Sequence, residues 1–331
     1  MSKRFLALTF VLPILILIDG ATPASAQEAT AAFSPSCSTP PSGPMPVHYD
    51  HVVIVMLENH EYSSVIGNMK LMPFLNLLAL TYAHAGEYWA DSHPSLPNYF
   101  MLTTGQKLVD VDHSPTVTAD NIVRHLIAAE KTWKAYAEGL PSVGYTGGDT
   151  GAYVEHHNPL SYFSDVRNSP SQQKNLVPFS QFETDLLNDT LPNYSFIVPD
   201  SHDDGEECPP GMKTCTDADK LANVDVWLEN NIWPVVRNSE FSQPGSVLLV
   251  ITFDEALPTD KLFHGGHVAW IVAGPNVKRG YTSDACYMHE STLRMISEAL
   301  GLTTFPGAAA KASNMEEFFT ASPAGTPPDT Q

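Results

Sequence analysis

The sequence predicts an α/β fold in which a mostly parallel sheet is covered by helices on both faces. Three observations lead there. Continuous β-branched runs recur along the chain, amphipathic segments of helical period separate them, and no repeat or low-complexity break interrupts the alternation. Apolar strands alternating with helices build a parallel sheet, because each crossover helix packs back onto a sheet face.

The first strand is His51–Leu57 (HVVIVML), a run apolar on both faces, as a strand buried on both sides requires. A short helix opens around Tyr99–Thr103. Asp120–Lys131 follows as a helix with Ile122, Val123, Leu126 and Ile127 on one face. Tyr194–Val198 is a short second strand. Asp217–Asn230 is a helix carrying Leu221, Val224 and Leu228, with Thr216 placed as its N-cap. Ser246–Phe253 (SVLLVITF) and Val268–Ala273 (VAWIVA) repeat the buried-strand pattern. Ser291–Leu300 is the last helix, with Leu293, Ile296 and Leu300 inward and Gly301 placed to end it.

The chain has 331 residues, 43% hydrophobic and 16% charged, so it is globular and long enough for one large domain. Its 37 acidic against 17 basic residues give a formal net charge of −20, which repels nucleic acid and anionic membrane surfaces as bulk partners. Lys3 and Arg4, the apolar stretch Phe5–Ile18 and Ala24-Ser25-Ala26 have the three parts of a secretory signal peptide. The h-region is too short to span a membrane. The expected organisation is a signal peptide at 1–26, a flexible Ala/Ser/Pro-rich lead-in at 27–47, one domain at 48–320 and a flexible tail at 321–331. The product is expected outside the cytoplasm, secreted or periplasmic, with no membrane span. Four cysteines in an oxidising compartment imply disulfides, and Pro209-Pro210-Gly211 favours Cys208–Cys215, leaving Cys37 with Cys286.

A parallel sheet binds ligands beyond the C-terminal ends of its strands. Glu58-Asn59 follows the first strand, Asp200-Ser201-His202-Asp203-Asp204 the second, and Asp254-Glu255 the third. Acidic residues are common in loops, but three apolar strands ending in carboxylates point to a cation with oxygen ligands. Ser95, between Pro94 and Pro97 just before a helix opening, is a nucleophile candidate, because free N–H groups there favour an anion.

Val53–Asn59 (VIVMLEN), His93–Tyr99 (HPSLPNY), His157-Asn158-Pro159, Asp200-Ser201-His202-Asp203 and Thr252–Glu255 (TFDE) occur in this order over about residues 50–302. This pattern resembles the phosphoesterase family of secreted acid phosphatases and phospholipases C, and is most similar to its acid-phosphatase and phosphatidylinositol-3-phosphatase-type branch. The resemblance implies an alkaline-phosphatase-like, three-layer α/β/α sandwich and hydrolysis of small phosphomonoesters or phosphoinositides. It assigns Glu58, Asn59, Ser95, Asp254 and Glu255 to a divalent metal (Ca²⁺, Mg²⁺, Mn²⁺ or Zn²⁺), with Asp200 and His267 as further candidates. Near His267 the sequence departs from several acid phosphatases, which have Asn or Gln there. Ser95 takes the nucleophile position, His157 and His202 contact phosphate or protonate the leaving group, and Asn98 and His289 join them in binding substrate. The phospholipase C relatives are longer, and the C-x-P-x-R signature of sulfatases is missing, so a monoesterase is the expected activity. A non-catalytic secreted metal-binding module is the alternative from another class.

Overall fold

The computed structural model describes residues 38, 40 and 43–321. The expected signal peptide, nearly all of the expected tail, most of the lead-in and Cys37 lie outside the described residues. Met45 and Val47, within the segment expected as a lead-in, are buried against the main core, so the packed chain begins before residue 48.

Among the described residues eight strands form a single sheet: β1 (His51–Leu57), β2 (Ala83–Tyr88), β3 (Trp133–Ala137), β4 (Leu176–Pro178), β5 (Tyr194–Val198), β6 (Val247–Phe253), β7 (Trp270–Ala273) and β8 (Tyr281–Tyr287). Their order across the sheet is β4-β3-β5-β1-β6-β7-β2-β8. β1 pairs in parallel with β5 on one side and β6 on the other, His51 lying opposite Val247 and Leu57 opposite Phe253. Only β7 runs against its neighbours, antiparallel to both β6 and β2. All seven residues of β6 and six of the seven in β1 are buried. Successive side chains of a strand point to opposite faces, so both faces of the central sheet are covered.

The helices are α1 (Tyr62–Val65), α2 (Pro73–Thr81), α3 (Ser95–Thr104), α4 (Ile122–Ala128), α5 (Ser164–Arg167), α6 (Pro170–Gln173), α7 (Ser180–Leu187), α8 (Asp217–Arg237) and α9 (His289–Ala299). α2 packs on α8 and α3 on α9. Thr216 caps α8 as expected: its hydroxyl accepts the Asp219 N–H and the Asp219 carboxylate accepts the Thr216 N–H, a reciprocal capping box. α8 continues past the expected stop through Pro234 to Arg237. The Asn230 carbonyl that Pro234 leaves without a helical donor belongs to an exposed residue, so water can replace the bond. α3 starts at Ser95 itself and ends at Gly105, whose φ of +63° places it in the left-handed region. A Cβ at Gly105 would come within 2.7 Å of Pro306 O and Ala308 N, so both shape and conformation require glycine there. Cys208 is bonded to Cys215, and Cys286 is disulfide-bonded as well. Among the described residues no helix is long and apolar enough to cross a membrane.

The topology decides where chemistry collects. β1, β5 and β6 share a direction, so their C-terminal ends deliver Glu58, the Asp200–Asp204 loop and Asp254-Glu255 to one edge of the sheet. β2 and β8 run the same way. Their exits bring the 89–94 segment, hence Ser95, and His289 at the start of α9 to that edge too.

Candidate active site

The site is built around a carboxylate with no exposure, Glu58. Its Oε2 accepts the Ser95 hydroxyl at 3.1 Å and the Asn59 side-chain amide at 2.8 Å. Its Oε1 accepts the Tyr99 hydroxyl at 2.6 Å and lies 3.2 Å from His157 Nε2. Asn59 has a φ of +54°, in the left-handed region that asparagine tolerates better than most residues with a side chain. That turn aims its backbone N–H at Asp254 Oδ1, 3.2 Å away, while its amide stays on Glu58. Ser95 is the first residue of α3, on the turn after β2, and is 5% exposed, so the hydroxyl reaches the carboxylates from a helix N-terminus. Thus Glu58, Asn59, Ser95 and Asp254 are brought together. Glu255 joins them through Asn98, whose Nδ2 donates to Glu255 Oε2 at 3.1 Å.

Several expected roles change. Asn98 uses both ends of its amide inside the protein: Oδ1 accepts the Asp91 and Ser92 N–H groups, and Nδ2 also donates to the Ser92 and Pro94 carbonyls. It therefore pins the loop that carries Ser95. His289, expected to contact substrate, is fully buried, with Nε2 2.6 Å from the Asp254 carbonyl and Nδ1 3.1 Å from the Tyr88 hydroxyl. Both nitrogens are occupied, so its contact is with the backbone of Asp254. His267 stacks between Tyr62 and Trp89, with centroids 4.3 and 4.4 Å away, and its Nε2 faces the Gly86 carbonyl. The aromatic rings hold it away from the carboxylates, and it is not brought into the metal set. Asp200 turns its side chain to the His202 N–H and groups with Glu138 and Asp203 instead of Glu58. The His202 ring is held by the Cys208 carbonyl, 2.8 Å from Nδ1, and makes no contact with Ser95 or Glu58.

His157 is the histidine that reaches the centre. It is fully buried on a short helical turn (Glu155–His157), stacked on Tyr99 at 5.5 Å, with Nδ1 3.2 Å from Asp204 Oδ2 and Nε2 3.7 Å from Glu206. Glu206, Tyr99 and His93 received no role in the sequence reading, and Asp204 entered it only as one carboxylate of the run after β5. Asp204 and Glu206 flank Gly205, where an added Cβ would meet the Glu58 carbonyl and the His60 ring, so only glycine lets that loop lie so close to the exit of β1. Tyr99 and His93, the latter 3.2 Å from Glu255 through Nδ1, lie within the His93–Tyr99 motif; the motif is their only signal. Asp204 had the signal of standing in the run after β5, where two other carboxylates and a histidine compete for notice.

The electrostatics fit a missing positive charge. Burial, then the charges of Asp254, Asp204 and Glu206, push the Glu58 carboxyl well above the usual carboxylate range. Burial raises Asp204 in the same way. Burial lifts Asp254 to about 7, and burial together with Asp254 lifts Glu255 to about 10. The same loss of water lowers His157 to about 4. Among the described residues no lysine or arginine pairs with the side chain of any of these four carboxylates. Asp254 Oδ2, Asp204 Oδ2 and both His157 nitrogens are buried with no aligned hydrogen-bond partner. Buried polar atoms left this way are costly unless a ligand completes them. Hard oxygens from Glu58, Asn59, Ser95, Asp254 and Glu255 form a donor set suited to a divalent cation, so the residues fit the metal that the motifs imply.

Comparison with known proteins settles the family. The phosphoesterase family model matches residues 68–303. The chain belongs to the phosphoesterase family. A phosphatidylinositol-3-phosphatase from Mycobacterium tuberculosis is 32% identical over 235 residues, 66% of this chain and 70% of that protein. A probable acid phosphatase from Kluyveromyces lactis is 30% identical over 73% of this chain and 56% of its own length, and an acid phosphatase from Aspergillus niger is 27% identical over 87% and 70%. The chain spans between about half and 70% of the length of the curated relatives it matches. Among solved structures, a protein of the alkaline phosphatase superfamily from Vibrio parahaemolyticus superposes with a TM-score of 0.55 at 14% identity, covering 82% of this chain and 71% of that one. The phosphonate monoester hydrolase of Agrobacterium radiobacter gives 0.53 at 13%, covering 83% and 78%. At such identities the likeness is one of fold, and that fold is alkaline-phosphatase-like.

Proposed function

We propose that this phosphoesterase-family chain is a metal-dependent acid phosphatase that cleaves phosphomonoesters through a phosphoserine intermediate. The observation that carries the reading is the Ser95 hydroxyl, placed at the first turn of α3 and donating to Glu58 among buried carboxylates that have no cationic side chain. The names of the curated relatives support the same reaction class. Glu58, Asn59, Ser95, Asp254 and Glu255 would hold the cation. When bound, a divalent ion supplies positive charge that favours ionised Ser95 and offsets the charge of the phosphoryl oxygens.

The chain's own groups then divide the work. The Ser95 proton passes to the Glu58 carboxylate that already accepts it. Ser95 Oγ forms a bond to phosphorus as the bond to the leaving oxygen breaks, and N–H groups of the α3 turn take up charge on the equatorial oxygens. His157, which lies closer to the nucleophile's carboxylate partners than His202 does, gives the leaving oxygen its proton from the imidazolium form, which burial disfavours and which acidic pH and the Glu206 carboxylate promote. Water then attacks phosphorus, His157 takes the water's proton, and the P–Oγ bond breaks, returning the proton from Glu58 to Ser95. Asn98 and His289 fix the positions of Ser95 and Asp254. We also retain export after cleavage near Ala26 as part of this proposal, on the strength of the N-terminal pattern.

The test is hydrolysis of p-nitrophenyl phosphate by wild type and Ser95→Ala, each with and without EDTA. Turnover abolished by both treatments supports the assignment. Turnover that survives Ser95→Ala rejects the nucleophile. Hydrolysis of a p-nitrophenyl phosphodiester in preference to the monoester moves the reading to the phospholipase C branch.

A further inference from the structure

The first turn of α3 is already occupied. Pro94 precedes it and has no side-chain group to cap the helix. The Leu96 N–H, one residue beyond Ser95, instead donates to Asp112 Oδ1 at 2.9 Å. Asp112 arrives on the loop between α3 and α4, where Asp110, Val111 and His113 beside it are exposed, as it is itself. Its carboxylate can leave the N–H without uncovering core. Its charge also reaches into the site: it helps raise Glu255 and Glu206, and opposes the lowering of His156 and His157. An exposed carboxylate therefore sits on an anion-favouring helix end, on the N–H of the residue that follows the nucleophile.

We propose that Asp112 is a built-in competitor for the phosphoryl group, displaced when phosphate binds, and that it sets how weakly the site holds phosphate. The inference rests on the phosphatase reading above. A carboxylate oxygen and a phosphoryl oxygen want the same donor. With Asp112 in place, a phosphate must break one charge-assisted hydrogen bond and approach against one further negative charge. Both penalties apply equally to substrate and to released inorganic phosphate. The residue therefore trades affinity for easier product departure. Asp112 acts on binding; it gives and takes no proton in the reaction.

The experiment uses the metal-loaded chain as wild type, Asp112→Asn and Asp112→Ala. Three quantities are read: the calorimetric Kd of inorganic phosphate, its Ki against p-nitrophenyl phosphate, and the KM and kcat of that substrate. Freeing one such donor and removing one charge should tighten phosphate on the order of tenfold in Asp112→Ala. Asp112→Asn keeps an acceptor for Leu96 without the charge and should fall between. KM should drop with Ki, and kcat should not drop as steeply as KM. A melting temperature is recorded for each variant, because Asp112 also caps α3. Phosphate Kd and Ki unchanged or weakened in both variants, with a lowered melting temperature, would make Asp112 a helix cap only and overturn the proposal. Phosphate bound by none of the three proteins would overturn the phosphatase reading, and this inference with it.

Discussion

Stripping divalent cations with EDTA should make the protein less stable as the pH rises from 5 to 7. Burial lifts the Asp254 carboxyl from 3.8 to about 7. Across that interval the folded carboxyl keeps a proton that the unfolded chain has already released, so rising pH favours unfolding. The slope is about 1.4 kcal/mol per pH unit at pH 5–6 and halves as the pH reaches the folded value, or about 2 kcal/mol from pH 5 to 7. In a domain of this size roughly 2 °C of melting temperature accompanies each kcal/mol, giving a fall of about 5 °C. Glu58, Asp204 and Glu255 are displaced in the same direction and steepen the fall. The assay is a set of thermal melts in EDTA at half-unit pH steps, repeated with saturating Mn²⁺ and with Asp254→Asn. Cation binding competes with the protons, so the slope should flatten or reverse in Mn²⁺. Asp254→Asn in EDTA should lose its share of the slope. Equal slopes for wild type and Asp254→Asn, or EDTA-treated protein that gains stability toward pH 7, would refute the reasoning.

Three further outcomes are expected. Tyr99→Phe removes the 2.6 Å hydrogen bond to buried Glu58; it should cost about 1.5–3 kcal/mol and weaken cation affinity, read from melts and a metal titration. His289→Ala releases the Asp254 backbone. It should lower kcat or metal affinity by roughly 10- to 100-fold with little change in KM, as loss of a group supporting a ligand does. Thr216→Ala breaks the capping box of α8 far from the chemistry; about 1 kcal/mol of stability should be lost with kcat/KM unchanged.

How much of this was legible follows from burial. β1 and β5 could be bounded to the residue because both faces of each strand are covered, leaving largely apolar runs in the sequence, with Ser195 the one polar residue inside β5. β8 (YTSDACY) stands at the end of the sheet with alternate residues in water, and its polar positions hide it. β2 (AHAGEY) carries a glycine at the irregularity between Ala85 and Glu87, and reads as a turn. The carboxylates were legible because strand ends are marked by the runs before them. Of the three histidines offered as catalytic or metal-binding, His157, His202 and His267, the structure brings only His157 to Glu58. His202 and His267 stand where a ligand would be expected. Their rings are captured by partners distant in sequence or invisible to pattern: the Cys208 carbonyl for one, Tyr62 and Trp89 for the other. His157, with the same residue type in an irregular segment, is drawn in because Tyr99 offers it a face to stack on.

The placement of β1 has a consequence for how the chain reaches this state. It is the earliest strand among the described residues, yet both of its hydrogen-bonding edges wait for partners made much later: β5 begins at residue 194 and β6 at residue 247. During synthesis, or in any product cut short of β6, an almost wholly apolar strand stands with an open edge, a template for pairing with another chain. Pairings this distant in sequence form slowly, which lengthens the exposure. Truncation should therefore yield aggregate in place of a smaller working protein, and Glu58 and Asp254 first meet only when the sheet closes.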